Sequence, residues 1–295
     1  MGLRDFEYIE PQTVKKACKV LSKYPEEAFT YAGGTSLLLL MKQGIVRPKY
    51  LVNIKRIPKL RYIENDTESL RIGALTTHHD LEVSPVIQQF FPMISEIEPQ
   101  IANIRVRSTG TVGGNLGFAE PLTDLPPIFI ALDARIKIET PTDGRMMLLE
   151  ELFVGYYETC LEASELITEV QIDKTPANFG LKYIRFSAGS DKPAVGSAVA
   201  VWIDSEGRVC EDARVVLGCV APTPLRVREA EDVLKGKEFQ LELAEQAAEI
   251  AARACSPLSD IRGSEEYKRA IVKVLTRQAI EEAFKRAAAN RADQQ

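Results

Sequence analysis

Two short glycine clusters carry the most chemically suggestive spacing in this chain. The first, Ala32-Gly33-Gly34-Thr35-Ser36, follows an apolar run and precedes a helical one. The second is Gly110-Thr111-Val112-Gly113-Gly114-Asn115-Leu116-Gly117, within a stretch rich in Gly, Asn, Thr and Pro. Paired glycines let backbone N–H groups approach an anion with no Cβ in the way. A strand end feeding a helix start adds the positive end of a dipole, which suits a phosphate. Thr35, Ser36 and Thr111 supply hydroxyl donors, whereas Lys and Arg are missing from both clusters. A bound diphosphate would therefore be held mainly by neutral donors. The common nucleotide motifs fail here. Starting at Gly110, G-x-G-x-x-G needs glycine at Val112 and Asn115, and a Walker loop needs Gly-Lys at Asn115-Leu116. Either cluster alone reads as a tight turn; the two together read as a ligand site.

Other reactive side chains give weaker signals. Thr77 with Asp80 three residues on marks a helix start. His78 and His79 are neighbours and cannot share a helical face, which disfavours a metal pair. Asp124 stands before a helical run and reads as an N-cap. Asp191, between Gly189-Ser190 and Lys192-Pro193, reads as a turn. Lys182 falls on a strand, where a lysine is ordinarily solvated; Ile101 and Ile167 read as core, and Trp202, Met146 and Met147 as structural. None of the five cysteines (Cys18, Cys160, Cys210, Cys219 and Cys255) lies two residues from another, which excludes C-x-x-C chemistry and an ordinary four-cysteine iron–sulfur cluster. Their odd number and scatter suit a reducing compartment, and Cys18 shares an apolar helical face with Val14, Ala17 and Leu21. No residue stands out as catalytic or as a metal ligand.

The elements that must position these groups begin with an alternating run. Strands are expected at Phe6 to Ile9, Phe29 to Ala32 and Tyr50 to Ile54, with helices at Thr13 to Tyr24 and Ser36 to Lys42. That is a small β-α-β-α-β unit. Further strands follow at Leu70 to Ile72, Arg135 to Glu139 and Leu166 to Ile172. Ile101 to Leu125 is expected to be an ordered functional loop, and Asp124 to Leu132 a helix. Lys174 to Asn178 is the best boundary in the chain. Beyond it come strands at Gly180 to Arg185, Ala194 to Trp202 and Val209 to Val216. Helices then fill Leu225 to Leu234, Leu241 to Ala254 and Ser264 to about Ala289, the last with Tyr267, Ile271, Val274 and Leu275 as its apolar stripe. Strands followed by helices suggest a separate α+β domain, and the end from Asn290 is expected to fray. The chain has 295 residues and a formal charge of −5, with no basic footprint for nucleic acid. No run approaches the roughly 18 uncharged apolar residues of a spanning helix. Arg4, Asp5 and Glu7 deny it a signal peptide, and Phe6 a myristoylation site. A cytoplasmic location is expected.

Several segments, taken in order, resemble one family. They are Ala32-Gly33-Gly34-Thr35-Ser36-Leu37, then Ile72-Gly73-Ala74-Leu75-Thr76-Thr77-His78-His79. Ile104-Arg105-x-x-Ser108-Thr109-Gly110-Thr111-Val112-Gly113-Gly114-Asn115 and Pro121-x-x-Asp124-x-Pro126-Pro127 follow, then Lys182-Tyr183-x-Arg185 and Asp191-x-Pro193. The chain resembles the FAD-binding medium subunits of the molybdenum hydroxylases, the aerobic carbon monoxide dehydrogenase type more than the xanthine dehydrogenase flavin domain. The resemblance implies an α+β protein: a vanillyl-alcohol-oxidase (PCMH)-type FAD domain over residues 1–176, in subdomains of about 1–60 and 61–176. It further implies a C-terminal α+β domain of the CO dehydrogenase flavoprotein type over 177–290 and a frayed tail at 291–295.

It implies that Gly33 to Leu37 and Thr111 to Asn115 clasp the FAD diphosphate from two sides, with Ala32, Thr109 and Gly110 also binding the cofactor. Asp124 would accept from a cofactor hydroxyl, and Ile101, Ile167 and Lys182 would lie beside the cofactor. Thr77 and His78 would touch it, and the Asp191 loop would cover the isoalloxazine ring. Lys192 stands where some relatives carry an aromatic residue, so ring stacking is not carried over. Non-covalent attachment is expected, because neither histidine lies within a glycine cluster. In such a complex a large subunit holds a molybdenum cofactor and a small one two iron–sulfur clusters. This chain's FAD would pass electrons onward to an external acceptor, in a heterotrimer or its dimer. The alternatives are a self-contained flavin reductase using NAD(P)H and a scaffold that has lost its flavin.

Overall fold

The computed structural model describes residues 4–292. The chain opens with strand β1 (Glu7–Ile9), helix α1 (Val14–Lys23), β2 (Ala28–Tyr31), α2 (Leu37–Gln43) and β3 (Tyr50–Asn53). β1 and β2 both pair in parallel with the central β3, so helices must carry the chain back between strands. Thr13 starts α1 by accepting the Lys16 N–H at 3.2 Å. Ala17, Cys18 and Leu21 form its buried face. Burial pushes the Cys18 thiol up to about 11, as befits a core residue.

A second sheet contains β4 (Ile63–Asn65) and β5 (Ser69–Gly73). Six short helices follow: α3 (His78–Val83), α4 (Pro85–Phe90), α5 (Pro92–Ile97), α6 (Ile104–Arg107), α7 (Val112–Phe118) and α8 (Leu125–Ala131). Then come β6 (Arg135–Glu139), β7 (Gly144–Leu148), the small hairpin β8 (Phe153–Gly155) and β9 (Glu158–Thr159), and β10 (Leu166–Asp173). The sheet order is β4-β5-β10-β6-β7, antiparallel throughout. Ile101 to Leu125 is not the continuous loop expected, since it holds α6 and α7. Side-chain caps nucleate both: Asn103 Oδ1 accepts from the Arg105 and Val106 N–H groups, and Thr111 Oγ1 from that of Gly114. Buried Val112 and Leu116 then anchor α7, a pull that three glycines mask in the sequence.

The third sheet is a meander of β11 (Phe179–Phe186), β12 (Val195–Ile203), β13 (Cys210–Gly218) and β14 (Leu225–Arg226), in that order. Helices α9 (Arg228–Leu234), α10 (Leu241–Ala254) and α11 (Glu265–Ala292) complete the fold. The helix expected from Leu225 thus begins only at Arg228. On α11 the expected stripe is displaced, with Tyr267 and Val274 each 45% exposed. The buried row is Val272, Leu275, Thr276, Ala279, Ile280, Ala283, Phe284 and Ala287, whose alanines carry little apolar signal but permit close approach to the sheet. The tail also differs from expectation. Asn290 donates to the Phe179 carbonyl at 2.9 Å and Arg291 to that of Ser205 at 2.7 Å, and α11 continues to Ala292. Residues 293–295 of the expected frayed tail lie outside the described residues. Met146 is 45% exposed and so not a core residue, whereas Met147 and Trp202 pack against the core.

β12 is covered on both faces. Val195, Val199, Val201 and Ile203 meet the α10–α11 layer, while Ala198 and Ala200 join a core with Phe129 of α8 and Ile136 and Val170 of the second sheet. That core also takes in Phe179, Leu181 and Tyr183 of β11, so it bridges the Lys174 to Asn178 connection. α8 is buried along its whole length between the two sheets. Among the described residues no helix is long and apolar enough to cross a membrane. Phe129→Ala should cost about 3–5 kcal/mol in chemical denaturation, whereas Ile261→Ala, at 94% exposure, should leave the midpoint unchanged.

Candidate functional site

The fold presses the two glycine clusters together. A Cβ on Gly33 would fall on the Thr109 carbonyl and lie 2.9 Å from Gly110 Cα, so glycine is demanded by backbone-to-backbone packing. The second turn is tied to the segment after β5. The His78 N–H donates to the Gly110 carbonyl at 3.1 Å, the Val112 N–H to that of Thr76 at 2.9 Å and the Gly113 N–H to that of Ala74 at 2.8 Å. A Cβ on Gly113 would sit 2.6 Å from Ala74 Cβ, and one on Gly114 2.7 Å from Thr111 Oγ1.

Their donors differ in availability. The Val112, Gly113, Gly114 and Asn115 N–H groups are all spent inside the protein, the last two on Thr111 Oγ1 and the Thr111 carbonyl. The successive N–H groups of Gly33, Gly34, Thr35, Ser36 and Leu37 find no acceptor among the described residues. The clasp expected from backbone donors on both sides is therefore one-sided. What the second turn offers is the Asn115 side chain, whose Oδ1 is buried and has no partner. Buried polar atoms are rarely left so, and this one belongs to the turn whose Thr109 and Gly110 pack on Gly33.

Behind this seam lies a buried polar cluster. Thr77 and Asp80 form a reciprocal capping box at the start of α3, which directs His78 inward and leaves His79 half exposed. His78 Nδ1 lies 3.0 Å from Glu98 Oε2, and Glu98 is fully buried. His78, remote from the clusters in sequence, packs against Gly110: its Cδ2 is 3.4 Å from where a Gly110 Cβ would stand. Asp124, 3% exposed, makes no cap hydrogen bond. The reason is Pro126 and Pro127, which remove the N–H groups a cap would engage. Instead it accepts the Tyr183 hydroxyl at 2.8 Å and pairs with Arg185 at 3.4 Å. Burial pushes the Asp124 carboxyl up, against the downward pull of Arg185 and Tyr183, and pushes the Tyr183 hydroxyl up as well.

Arg185 organises three segments at once. It donates to the Gln100 carbonyl, to Ser187 Oγ at 2.8 Å and to the Asp191 carbonyl at 2.9 Å. Tyr183, Arg185 and Glu98 are absent from the candidates named from sequence. The alternation of Tyr183 and Arg185 on one strand face was the available signal. The same alternation sends Lys182 to the other face with Ile184, within electrostatic reach of Glu282 on α11, so it is not brought to the seam. Asp191 is exposed, and its neighbour Lys192 pairs with Glu120. Ile101 is half-buried against the main core, its carbonyl accepting from Arg107 at 3.1 Å. Ile167, 5% exposed, lies at a bulge in β10.

A row of free amides, an orphaned amide oxygen on the turn packed against it, and a buried polar cluster fit the phosphates and hydroxyls of a nucleotide cofactor. The architecture and site define a cofactor-binding α+β protein. Residues 4–175 match the family described as the FAD binding domain in molybdopterin dehydrogenase, and residues 182–283 the CO dehydrogenase flavoprotein C-terminal domain. The chain belongs to this FAD-binding molybdopterin dehydrogenase family. It is 34% identical to the carbon monoxide dehydrogenase medium chain of Hydrogenophaga pseudoflava, covering 96% of this chain and 98% of that one. It is 32% identical to the nicotine 6-hydroxylase medium subunit of Paenarthrobacter nicotinovorans, covering 96% and 99%. The solved Hydrogenophaga pseudoflava carbon monoxide dehydrogenase lacking the Mo-pyranopterin moiety superposes with a TM-score of 0.93 at 34% identity, over 97% of this chain and 99% of that one. The resemblance read from the motifs thus holds: this is an FAD flavoprotein and an oxidoreductase subunit.

Gly33→Val should force the two turns apart. The purified variant is expected to keep its far-ultraviolet circular dichroism yet retain less than about a tenth of the wild-type flavin; full retention would show that the seam does not need this contact.

Proposed function

We propose that the chain is the electron-transfer flavin subunit of a multi-subunit molybdenum hydroxylase. It would receive electrons from the iron–sulfur clusters of a partner subunit and deliver them to an external acceptor. The observation that carries this reading is the free amide row of Gly33 to Leu37, packed through Gly33 onto the turn that carries the orphaned Asn115 side chain. Bound FAD would supply a carrier able to take electrons one at a time from such clusters and release them singly or in pairs.

In this reading Ala32 to Leu37 hold the diphosphate through backbone N–H groups and the Thr35 and Ser36 hydroxyls. Thr109, Gly110, Gly113 and Gly114 shape the opposite wall, with Thr111 and Asn115 reaching the cofactor. Asp124, steadied by Tyr183 and Arg185, accepts from a cofactor hydroxyl. Ile101 and Ile167 exclude water from the ring, and Arg185 fixes the Asp191 loop that covers it. Residues 1–176 and 177–290 are taken as the two domains.

Support for the assembly comes from what the chain lacks and what its relatives do. The cysteines are unpaired and scattered, so a metal relay has to come from other chains, and free thiols favour a reducing, cytoplasmic setting. Two relatives of near-equal identity, 34% and 32%, bear the names of enzymes acting on carbon monoxide and on nicotine. A subunit conserved across such different substrates does not choose the substrate. The partners are a molybdenum-cofactor large subunit and an iron–sulfur small subunit, as a heterotrimer or its dimer.

Native-host purification under mild conditions should recover molybdenum and iron–sulfur proteins with this chain. A metal-free homo-oligomer that turns over a substrate alone would instead support a self-contained reductase, and a colourless protein a scaffold. The chain should carry one FAD, released by acid precipitation. Asp124→Ala should weaken FAD binding about tenfold to a hundredfold, the loss of one charge-assisted hydrogen bond, as measured by flavin fluorescence titration. A large fall in the flavin-free melting temperature with unchanged affinity would make Asp124 purely structural.

A further inference from the structure

We propose that the buried His78–Glu98 pair makes FAD binding proton-linked, by presenting a protonated imidazole to the diphosphate at the seam of the two glycine turns. This rests on the FAD reading above and adds the cation that neither glycine cluster contains.

The geometry begins with an imidazole fixed at one end. Nδ1 lies 3.0 and 3.2 Å from the two Glu98 oxygens, and both residues are buried, at 4% and 0% exposure. The opposite edge of the ring faces the seam. Cδ2 is 3.4 Å from where a Gly110 Cβ would stand, and Thr35 Oγ1 is 3.7 Å from the same point. Nε2 is bonded to Cδ2 and therefore belongs to that edge; it has no hydrogen-bond partner among the described residues. Thr35 belongs to the row of free amides, so this nitrogen sits beside the position proposed for the phosphates.

Charge balance says why a proton belongs there. The carboxylates around His78 are Glu98, Asp124 and Glu82, the last on its own helix. The cations are Arg107 on α6, which donates to Glu82 at 3.0 Å, and Arg185 on β11, which pairs with Asp124. His79 lies toward solvent, 3.2 Å from Glu82, and Asp80 is held by Arg61 at 2.8 Å. α4 contributes no charged residue. On α5, Glu96 is paired with Arg286 at 2.8 Å. Among the buried side chains, Arg107 and Arg185 face Glu98 and Asp124, while the Glu82 side chain is 21% exposed, so the set holds no surplus cation for a diphosphate and a proton on the His78–Glu98 pair would supply one. Two negative charges arriving with the diphosphate favour that proton, so binding takes up one proton from solvent. Affinity is greatest while the pair is protonated and falls as the pH rises.

The test uses the full chain stripped of flavin, titrated with FAD at about pH 6 and about pH 9, a range that spans histidine titration. The wild type should bind at least about tenfold more weakly at the higher pH. Calorimetry in buffers of different ionisation enthalpy should record net proton uptake at the higher pH. ADP-ribose, whose diphosphate like that of FAD does not titrate in this range, should show the same slope, and riboflavin none. His78→Gln should flatten the slope at the weaker affinity. Glu98→Gln should move it to lower pH, because the imidazolium loses its carboxylate. A slope that survives His78→Gln, or that riboflavin shares in the wild type, overturns the proposal; the riboflavin comparison needs no variant to fold. Wild type that binds no FAD at either pH would defeat the FAD reading itself instead.

Discussion

The contact of the Gly33 backbone with Thr109 and Gly110 is the constraint on which the rest of the site depends. It brings the turn after β2 onto the turn before α7, about 75 residues away in the chain, with no side chain between them. Everything nearby holds one of these turns. β3 fixes the first by pairing with β2. The second is fixed by the bridge between Thr77 and Thr111 and by the Gly113 N–H bonded to Ala74. A single added carbon at Gly33 or Gly113 meets backbone or a fixed methyl, and neither can yield.

Behind that contact the protein buries charge, a costly choice that pairing offsets. Asp124 sits between Tyr183 and Arg185, and Arg185 reaches on to Gln100, Ser187 and Asp191. One guanidinium thereby links the helical region, the start of α8 and the β11–β12 turn. Apolar packing of α8 against β12 and β13 determines how closely these parts approach. The polar cluster determines their register, because a displaced Arg185 would leave a buried carboxylate unpaired.

Much of this was legible in sequence, and the exceptions have physical causes. Most of the longer strands and helices followed from periodicity and the Thr77–Asp80 capping box from its spacing, while short elements such as β4, β7, α4 and α5 went unread. α6 and α7 were hidden because a glycine-rich segment looks like a loop until the caps at Asn103 and Thr111 and the burial of Leu116 are counted. The stripe on α11 was misplaced because alanine gives almost no hydropathy contrast while doing most of the packing. The cap assigned to Asp124 was contradicted by Pro126 and Pro127, which stand in plain view. The His78 contact with Gly110 and the pairing of Asp124 with Arg185 join residues far apart in the chain, and no local pattern encodes them.

The distribution of unsatisfied groups separates a site from a well-made turn. Folding could have spent the Gly33 to Leu37 amides as it spent those of Val112 to Asn115. The amides lie at partly exposed residues and stay free for an acceptor, while leaving the buried Asn115 oxygen unmatched forgoes a hydrogen bond worth about 1 kcal/mol net. Such a deficit persists in a packed protein when a ligand meets it. A cofactor that does so binds the folded state alone and stabilises it in proportion to the logarithm of its concentration over its dissociation constant. On the proposed reading, the glycine seam is one half of a core whose other half is the flavin nucleotide.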